Sequence, residues 1–323
     1  MNARLSVPAE SKASIKIQAR DVRMDFAIED DKGRRQQISA LQDFNLDIRE
    51  GEFFTILGPS GCGKSTFLNV LAGLAHKTSG SITIDGRPAE GINLHQGVVF
   101  QGYALFPWRT VLQNIEMGLE IRKVPKRERK ETAEHFLDLV GLSGFAHRYP
   151  HELSGGQLQR ISILRAMLLE PDLLVADEPV SMLDVSIQAD ILAMLECLHN
   201  RHHMAMIFIS HDIATTRYVS DRVAVMYLGR IVELGATDDV IHHPAHPYTQ
   251  VLISNTASLD PLEERNIIEV EGEPPNPINA GPGCYFAPRC YKAKPECFEH
   301  YPEPIQVGEG HMAACAFAER KTT

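Results

Sequence analysis

Apolar positions in this chain fall into two textures. Phe53 to Leu57 is a short apolar run, a glycine-rich turn follows, and then Phe67, Leu68, Leu71 and Leu74 recur at helical spacing. The order expected there is strand, loop, helix. Val98 to Phe100, Leu173 to Ala176, Met204 to Ile209 and Val223 to Tyr227 are further runs of buried-strand length, and Ile187, Ile191, Leu195 and Leu198 mark one of the helices between them. Strands that alternate with helices in this way predict an α/β fold, with a largely parallel sheet covered on both faces.

Between about Gly102 and Leu169 the strand signals vanish. Thr110 with Gln113, and Ser154 with Gln157, each have the spacing of a capping box, in which the third helical residue reaches back to the N-cap. An inserted helical subdomain is expected over 102–169. Its basic run Arg122, Lys123, Lys126, Arg127, Arg129 and Lys130 reads as a solvated helix face. From about Gly235, Pro244, Pro247, Pro274, Pro275, Pro277, Pro282 and Pro288 break any long periodicity. The organisation expected is a flexible tail over 1–14, a main domain over 15–235 and a loop-rich extension over 236–323.

Composition narrows the function. The formal charge of −10 and pI near 5.8 oppose a broad electrostatic footprint for nucleic acid. No apolar run approaches the roughly 20 residues needed to cross a bilayer, so any membrane role must pass through a partner. The first residues, Met1 to Ser14, lack the apolar centre of a signal peptide, and a cytosolic location follows as the expectation. Of six cysteines, Cys284, Cys290, Cys297 and Cys315 crowd into the end of the chain. In a reducing compartment four such thiolates suggest a [4Fe–4S] cluster or tetrahedral zinc before disulfides, although the spacing lacks the C-x2-C of common metal sites. Free or paired thiols are the other reading.

Gly58, Pro59, Ser60, Gly61, Cys62, Gly63, Lys64 and Ser65 match the G-x-x-x-x-G-K-[ST] phosphate loop, between a predicted strand and a predicted helix. The glycines let successive backbone N–H groups face phosphate oxygens, Lys64 neutralises the β- and γ-phosphates, and Ser65 holds Mg²⁺. Thr66 is the candidate at the α-phosphate, and Cys62 is a small loop residue without a redox role. Leu173 to Glu178 is an apolar strand that ends in two carboxylates. Asp177 suits the Mg²⁺ shell, and Glu178 suits polarisation of the attacking water.

Leu153, Ser154, Gly155, Gly156 and Gln157 then resemble the signature motif of ABC-transporter ATPases, and they stand where that family has it, just before Asp177. Physically, Ser154 and the glycine N–H groups open a helix, which makes a second anion-binding end. The resemblance implies that this end faces the γ-phosphate held by an opposite subunit, so that a dimer encloses two ATP. It also implies Gln101 as the Q-loop glutamine and a further Mg²⁺ contact, Ser181 to Asp184 as the D-loop, and His211 as the switch histidine. Phe26 is the candidate for stacking on adenine, with a core aromatic of the N-terminal strand as the other reading. The fold implied is a P-loop NTPase (ABC ATPase) core with an antiparallel β subdomain, the helical insert and the C-terminal extension. The partners implied are transmembrane permease subunits, a second ATPase subunit that is identical or not, and, indirectly, an extracytoplasmic substrate-binding protein. The place implied is the cytoplasmic face of the membrane, as a peripheral subunit. Soluble ABC ATPases that act on nucleic acid or ribosomes usually carry two cassettes or long insertions, which this chain lacks.

The two halves resemble different subgroups. His246 to Thr249, Gly272 to Pro275 and the four-cysteine region look like the C-terminal region of dipeptide and oligopeptide importer ATPases, a likeness that favours the iron–sulfur option. The phosphate loop and Ala104 to Thr110 look more like nitrate, sulfonate and taurine importer ATPases, and Pro59 stands where peptide importers generally have an acidic residue. The peptide group is expected on the longer of the two likenesses.

Overall fold

The computed structural model describes residues 14–29, 33, 35–93, 95–256, 267–270, 272 and 281–318, so the tail expected over 1–14 lies outside the described residues except for Ser14. The strands are β1 (Ile15–Glu29), β2 (Arg35–Arg49), β3 (Phe53–Leu57), β4 (Ser79–Ile84), β5 (Arg87–Pro88), β6 (Gln96–Val99), β7 (Leu173–Asp177), β8 (Ala205–Ser210), β9 (Arg222–Tyr227), β10 (Arg230–Ala236), β11 (Ile305–Gly308) and β12 (His311–Ala313). The helices are α1 (Lys64–Leu71), α2 (Val111–Ile121), α3 (Lys126–Leu139), α4 (Gly155–Met167), α5 (Val185–His202), α6 (Ile213–Val219), α7 (Thr237–His242) and α8 (Pro247–Ser254).

Among the described residues the main sheet has eight strands in the order β11-β12-β10-β9-β3-β8-β7-β6. Pairing is parallel from β9 through β6. All residues of β3 and β8 are buried, as a strand covered on both faces requires. One face packs with α1 and the antiparallel strands through Phe44, Ile56, Phe67 and Ile207. The other packs with α5 through Phe53, Ile191, Leu195 and Phe208.

A second, antiparallel sheet runs β2-β1-β4-β5 and lies over α1. Its long strands carry no clean alternation because their pairing is interrupted by register shifts around Val22 and Met24. The helical insert closes on its own apolar cluster, with Val111, Ile115, Leu137 and Ile161 at its centre. Both expected capping boxes are present, at Thr110 with Gln113 and at Ser154 with Gln157.

The proline-rich end of the chain is more than loop. Its β12 pairs with β10 through Glu233 opposite Ala313 and Leu234 opposite Met312, and β11 pairs with β12, so the tail lengthens the main sheet. Strands of three and four residues leave too little pattern to be seen in a sequence. Tyr285 and Phe286 join Leu57, Tyr227 and Tyr248 in one apolar cluster.

A buried carboxylate ties these parts together. Glu233 on β10 accepts the N–H groups of Ala245 at 2.8 Å and His246 at 2.9 Å, and it lies 2.7 Å from His311 Nε2 on β12. His246 caps α8, its Nδ1 accepting the Tyr248 N–H at 3.0 Å. Burial pushes the His246 imidazole down to about 4, against the opposing pull of the Glu233 charge. An unfolded histidine titrates near 6.5, so between those two values the unfolded chain binds a proton that the folded chain lacks. The His246 contribution is therefore complete above about pH 6.5 and is lost as pH falls toward 4, a change of about 3 kcal/mol. In His246→Asn, which keeps a capping acceptor without a titrating ring, the melting temperature should fall less between pH 7 and pH 5 than in the wild type; equal slopes would show that another group governs the acid limb.

Candidate nucleotide site

The site is built where neighbouring parallel strands end. β3 stops at Leu57, residues 58–63 turn, and α1 begins at Lys64 with no side chain capping its first N–H groups. Those groups are left for a ligand. The N-cap, Gly63, takes φ of +106°, and a methyl group there would sit 2.4 Å from the Ala40 carbonyl oxygen. At Gly58 it would sit 2.6 Å from the Met226 carbonyl oxygen. Only glycine lets strands β2 and β9 approach the loop this closely. Pro59, Ser60 and Gly61 form the outer part of the turn, and Ser60 and Gly61 are exposed. Cys62 is buried, and burial raises its thiol pKa, as in an inert side chain.

Lys64 is buried and turns back on the loop, donating to the Gly58 carbonyl at 2.8 Å and the Pro59 carbonyl at 2.9 Å. Its Nζ lies 3.9 Å from Glu178 Oε1. Next to it the Ser65 hydroxyl donates to Asp177 Oδ1 at 3.3 Å, while Thr66 is half-buried in the first turn of α1. Burial pushes the Asp177 carboxyl up; the Ser65 hydrogen bond opposes this, the Glu178 charge adds to it, and Lys64 opposes it again. A half-buried carboxylate in this state is stabilised by an arriving cation. Ser65 and Asp177 thus fit a Mg²⁺ ion in donor type and position.

Glu178 is the hub. Gln101 Nε2 donates to its Oε2 at 3.3 Å, and His211 Nδ1 lies 3.3 Å from the same oxygen. Its backbone takes φ of +45° and its N–H donates to the Ile209 carbonyl of β8 at 3.1 Å. A non-glycine residue in the left-handed region is strained, and here the neighbouring strand end holds it.

The signature segment opens α4. Ser154 Oγ accepts the Gln157 N–H at 3.4 Å and Gln157 Oε1 accepts the Ser154 N–H at 2.9 Å. A methyl group on Gly156 would meet Ile187 Cγ2 at 2.6 Å, and one on Gly155 would meet the Tyr103 hydroxyl at 3.1 Å, so both glycines are close-packed. α4 packs against α2, α5 and β6. Asp184 is exposed at the N-cap of α5, and Met182 beside it is exposed. Phe26 stands 42% exposed on β1, opposite Ile38.

Two residues at the site were not visible in the sequence. Ser162 Oγ donates to the Tyr103 carbonyl at 3.0 Å and Arg165 donates to the Ala104 carbonyl, so α4 holds the turn after Gln101. Tyr103 and Ala104 are both left-handed, and no short-range pattern pairs them with residues about sixty positions away.

Cys284, Cys290, Cys297 and Cys315 are all free thiols and line one cavity of about 230 Å³, together with Phe286, Tyr301 and Phe317. Burial pushes the Cys284 thiol up to about 11 and raises Cys290 and Cys315 as well. Among the described residues no group of three or more His, Cys, Asp or Glu side chains has the arrangement of a metal site. The soft donors are gathered, but they are not drawn into ligand geometry.

A glycine cradle on a helix N-terminus, a lysine within it and two carboxylates at the adjoining strand end define a P-loop ATPase. Comparison with known proteins carries this further. The ABC transporter family model matches residues 41–181, and the model of the oligopeptide/dipeptide transporter C-terminal region matches residues 232–297. The oligopeptide transport ATP-binding protein OppF of Escherichia coli is 40% identical over 91% of this chain and 94% of its own length. The dipeptide transport ATP-binding protein DppF of Haemophilus influenzae is 40% identical over 87% of this chain and 89% of its own. Among solved structures, the ATP-binding cassette MJ0796, in a dimeric post-hydrolysis state bound to ADP and Pi, aligns with a TM-score of 0.62 and 30% identity over 68% of this chain and 98% of that one. This chain belongs to the ABC transporter family of ATP-binding subunits, and it is an ATPase.

The glycines of the loop differ in what they tolerate. Gly63→Ala combines a left-handed φ with a contact against the Ala40 backbone, so it should abolish ATP retention and lower the melting temperature. Gly61→Ala meets nothing within 4 Å and bears only the conformational cost, about 1–2 kcal/mol. Thermal melts and ATP titration of the two variants check this; equal damage would show that close packing at Gly63 is unimportant.

Proposed function

We propose that this chain energises a membrane importer of dipeptides or oligopeptides, acting as one half of an ATPase dimer. The observation that carries the reading is the convergence of Lys64, Gln101 and His211 on Glu178, beside Ser65 and Asp177, in a chain whose tail matches the peptide-transporter C-terminal region. The relatives aligned over most of the chain are oligopeptide and dipeptide transport ATP-binding proteins, which supports peptides over nitrate, sulfonate or taurine as cargo.

In this reading the loop N–H groups of residues 58–65 bind the phosphates, Lys64 leaves its carbonyl partners for the β- and γ-phosphates, and Phe26 stacks on adenine. Mg²⁺, held by Ser65 and Asp177 with Gln101 nearby, supplies charge neutralisation at the phosphates. Glu178 orients and deprotonates the attacking water, and His211 and Gln101 hold that carboxylate and sense the γ-phosphate. The Ser154 to Gln157 helix start and Asp184 complete the site of the partner copy, as the dimeric state of the cassette MJ0796 suggests. Closure on ATP and reopening after hydrolysis drive permease subunits that receive cargo from an extracytoplasmic binding protein. No helix of the described residues is long and apolar enough to cross a membrane, which fits a peripheral subunit at the cytoplasmic face.

Glu178→Gln keeps the shape of the site and removes the base. Turnover should fall at least about a hundredfold while ATP is retained in a closed dimer, and uptake of a labelled dipeptide by cells dependent on this importer should stop. Undiminished hydrolysis would refute the role of Glu178. Dipeptide uptake that is indifferent to the variant would refute the cargo.

The four tail thiols belong to the same reading as a structural metal site, a [4Fe–4S] cluster or zinc, that forms when the cysteines draw together around their cavity. Protein isolated without oxygen should carry about one cluster or one zinc per chain by metal analysis, and Cys284→Ser should lose it together with some thermal stability. Protein that carries no metal as isolated without oxygen, and whose melting temperature Cys284→Ser leaves unchanged, would dismiss the proposal.

A further inference from the structure

The phosphate loop is braced from a direction that the nucleotide chemistry does not use. The Cys62 carbonyl in the loop accepts the Gly229 N–H at 2.8 Å, and the Gly229 carbonyl accepts the Gln42 N–H at 3.0 Å. The side chain of Gln42 continues the chain of contacts. Its Oε1 accepts the Tyr285 hydroxyl at 2.6 Å and Arg230 Nη2 at 3.4 Å. Arg230 lies over the ring of Tyr301 at 4.1 Å and that of Tyr285 at 5.4 Å, and it pairs with Asp43 at 2.7 Å. Tyr285 and Tyr301 belong to the tail, more than two hundred residues along the chain from the phosphate loop.

The backbones along this path approach closely. The Ala40 carbonyl stands 2.4 Å from where a Cβ on Gly63 would be and 2.8 Å from one on Gly229. No side chain fits between residues 40–41 and either glycine, so the backbones lie close together there, and Gly63 and Gly229 are each one bond or one hydrogen bond from Cys62.

We infer that the C-terminal extension shapes the phosphate cradle, with Tyr285 fixing Gln42 and Gln42 fixing residues 62–63 through Gly229. Tyr285 and Gln42 are positioning residues for ATP binding, acting through backbone rather than on the nucleotide. The inference rests on the ATP site assigned above and adds the tail to it. A cradle held in the phosphate-accepting shape before ATP arrives binds more tightly than one that must be ordered by ATP.

Tyr285→Phe removes one hydroxyl and keeps the ring that packs on Arg230 and Tyr301. In the full-length chain it should raise the Kd for ATP about three- to tenfold, while the melting temperature without nucleotide stays within about 3 °C of the wild type. Gln42→Leu should match it, the double variant should be no weaker than either single one, and Gln42→Glu, still an acceptor for both donors, should restore wild-type affinity within about twofold. A residue that only stabilised the fold would lower melting and leave the affinity of the folded protein untouched. That outcome, or an unchanged Kd in both Tyr285→Phe and Gln42→Leu, overturns the inference and leaves the ATP site standing. A wild-type chain that binds no ATP removes the ATP site, and the inference with it.

Discussion

The carboxyl ends of three adjacent parallel strands position the candidate nucleotide site of this protein. β3, β8 and β7 lie side by side, so Leu57, Ser210 and Asp177 finish on one edge of the sheet, with Leu57 opposite Ser210 and Asp177 opposite Ile209. Parallel pairing allows no other outcome, because every chain must leave the sheet on the same side. The loop of residues 58–63, the carboxylates Asp177 and Glu178, and His211 are thereby brought together from segments more than thirty residues apart. The buried runs of β3 and β8 act on the site by fixing where it stands.

Charge balance explains how the site waits for its ligand. Lys64 is buried among carbonyl oxygens and near Glu178, and Asp177 is held next to a second carboxylate in a half-buried position that disfavours its charge. Burial disfavours the Asp177 charge, and in the proposed reading a cation arriving with the triphosphate would relieve that cost while the phosphates would take Lys64. Glu178 is approached by Lys64 from the start of α1 and by Gln101 and His211 from two separate loops, so three segments distant in sequence meet at one carboxylate. In the proposed reading, this common carboxylate would couple hydrolysis to motion of the loop after Gln101.

The tail is joined to the ATPase core at several levels. It adds β12 to β10, shares the Tyr227, Tyr248 and Phe286 cluster, and closes around Glu233 and His311 in a buried polar contact. A carboxylate this deep is tolerated because two backbone N–H groups and an imidazole surround it. The four thiols hang from the same framework, with Cys284 next to Tyr285.

Much of the site was readable in the sequence because phosphate chemistry is local. A cradle needs glycines, a lysine and a hydroxyl within eight positions, and a strand that ends in two carboxylates announces itself by its apolar run; the capping boxes at Thr110 and Ser154 likewise close within four residues. The buried parallel strands were legible for the same reason, since burial on both faces leaves continuous apolar runs. What the sequence could not disclose was everything that depends on distant pairing: the short strands β11 and β12, the grip of Ser162 and Arg165 on the turn after Gln101, the Glu233 contact, and the reach of Tyr285 to Gln42. Nor could spacing say whether four cysteines meet; the fold gathers them around one cavity without setting them in ligand geometry. Local patterns fix local conformation, whereas contacts across two hundred residues exist only once the sheet has brought their elements side by side.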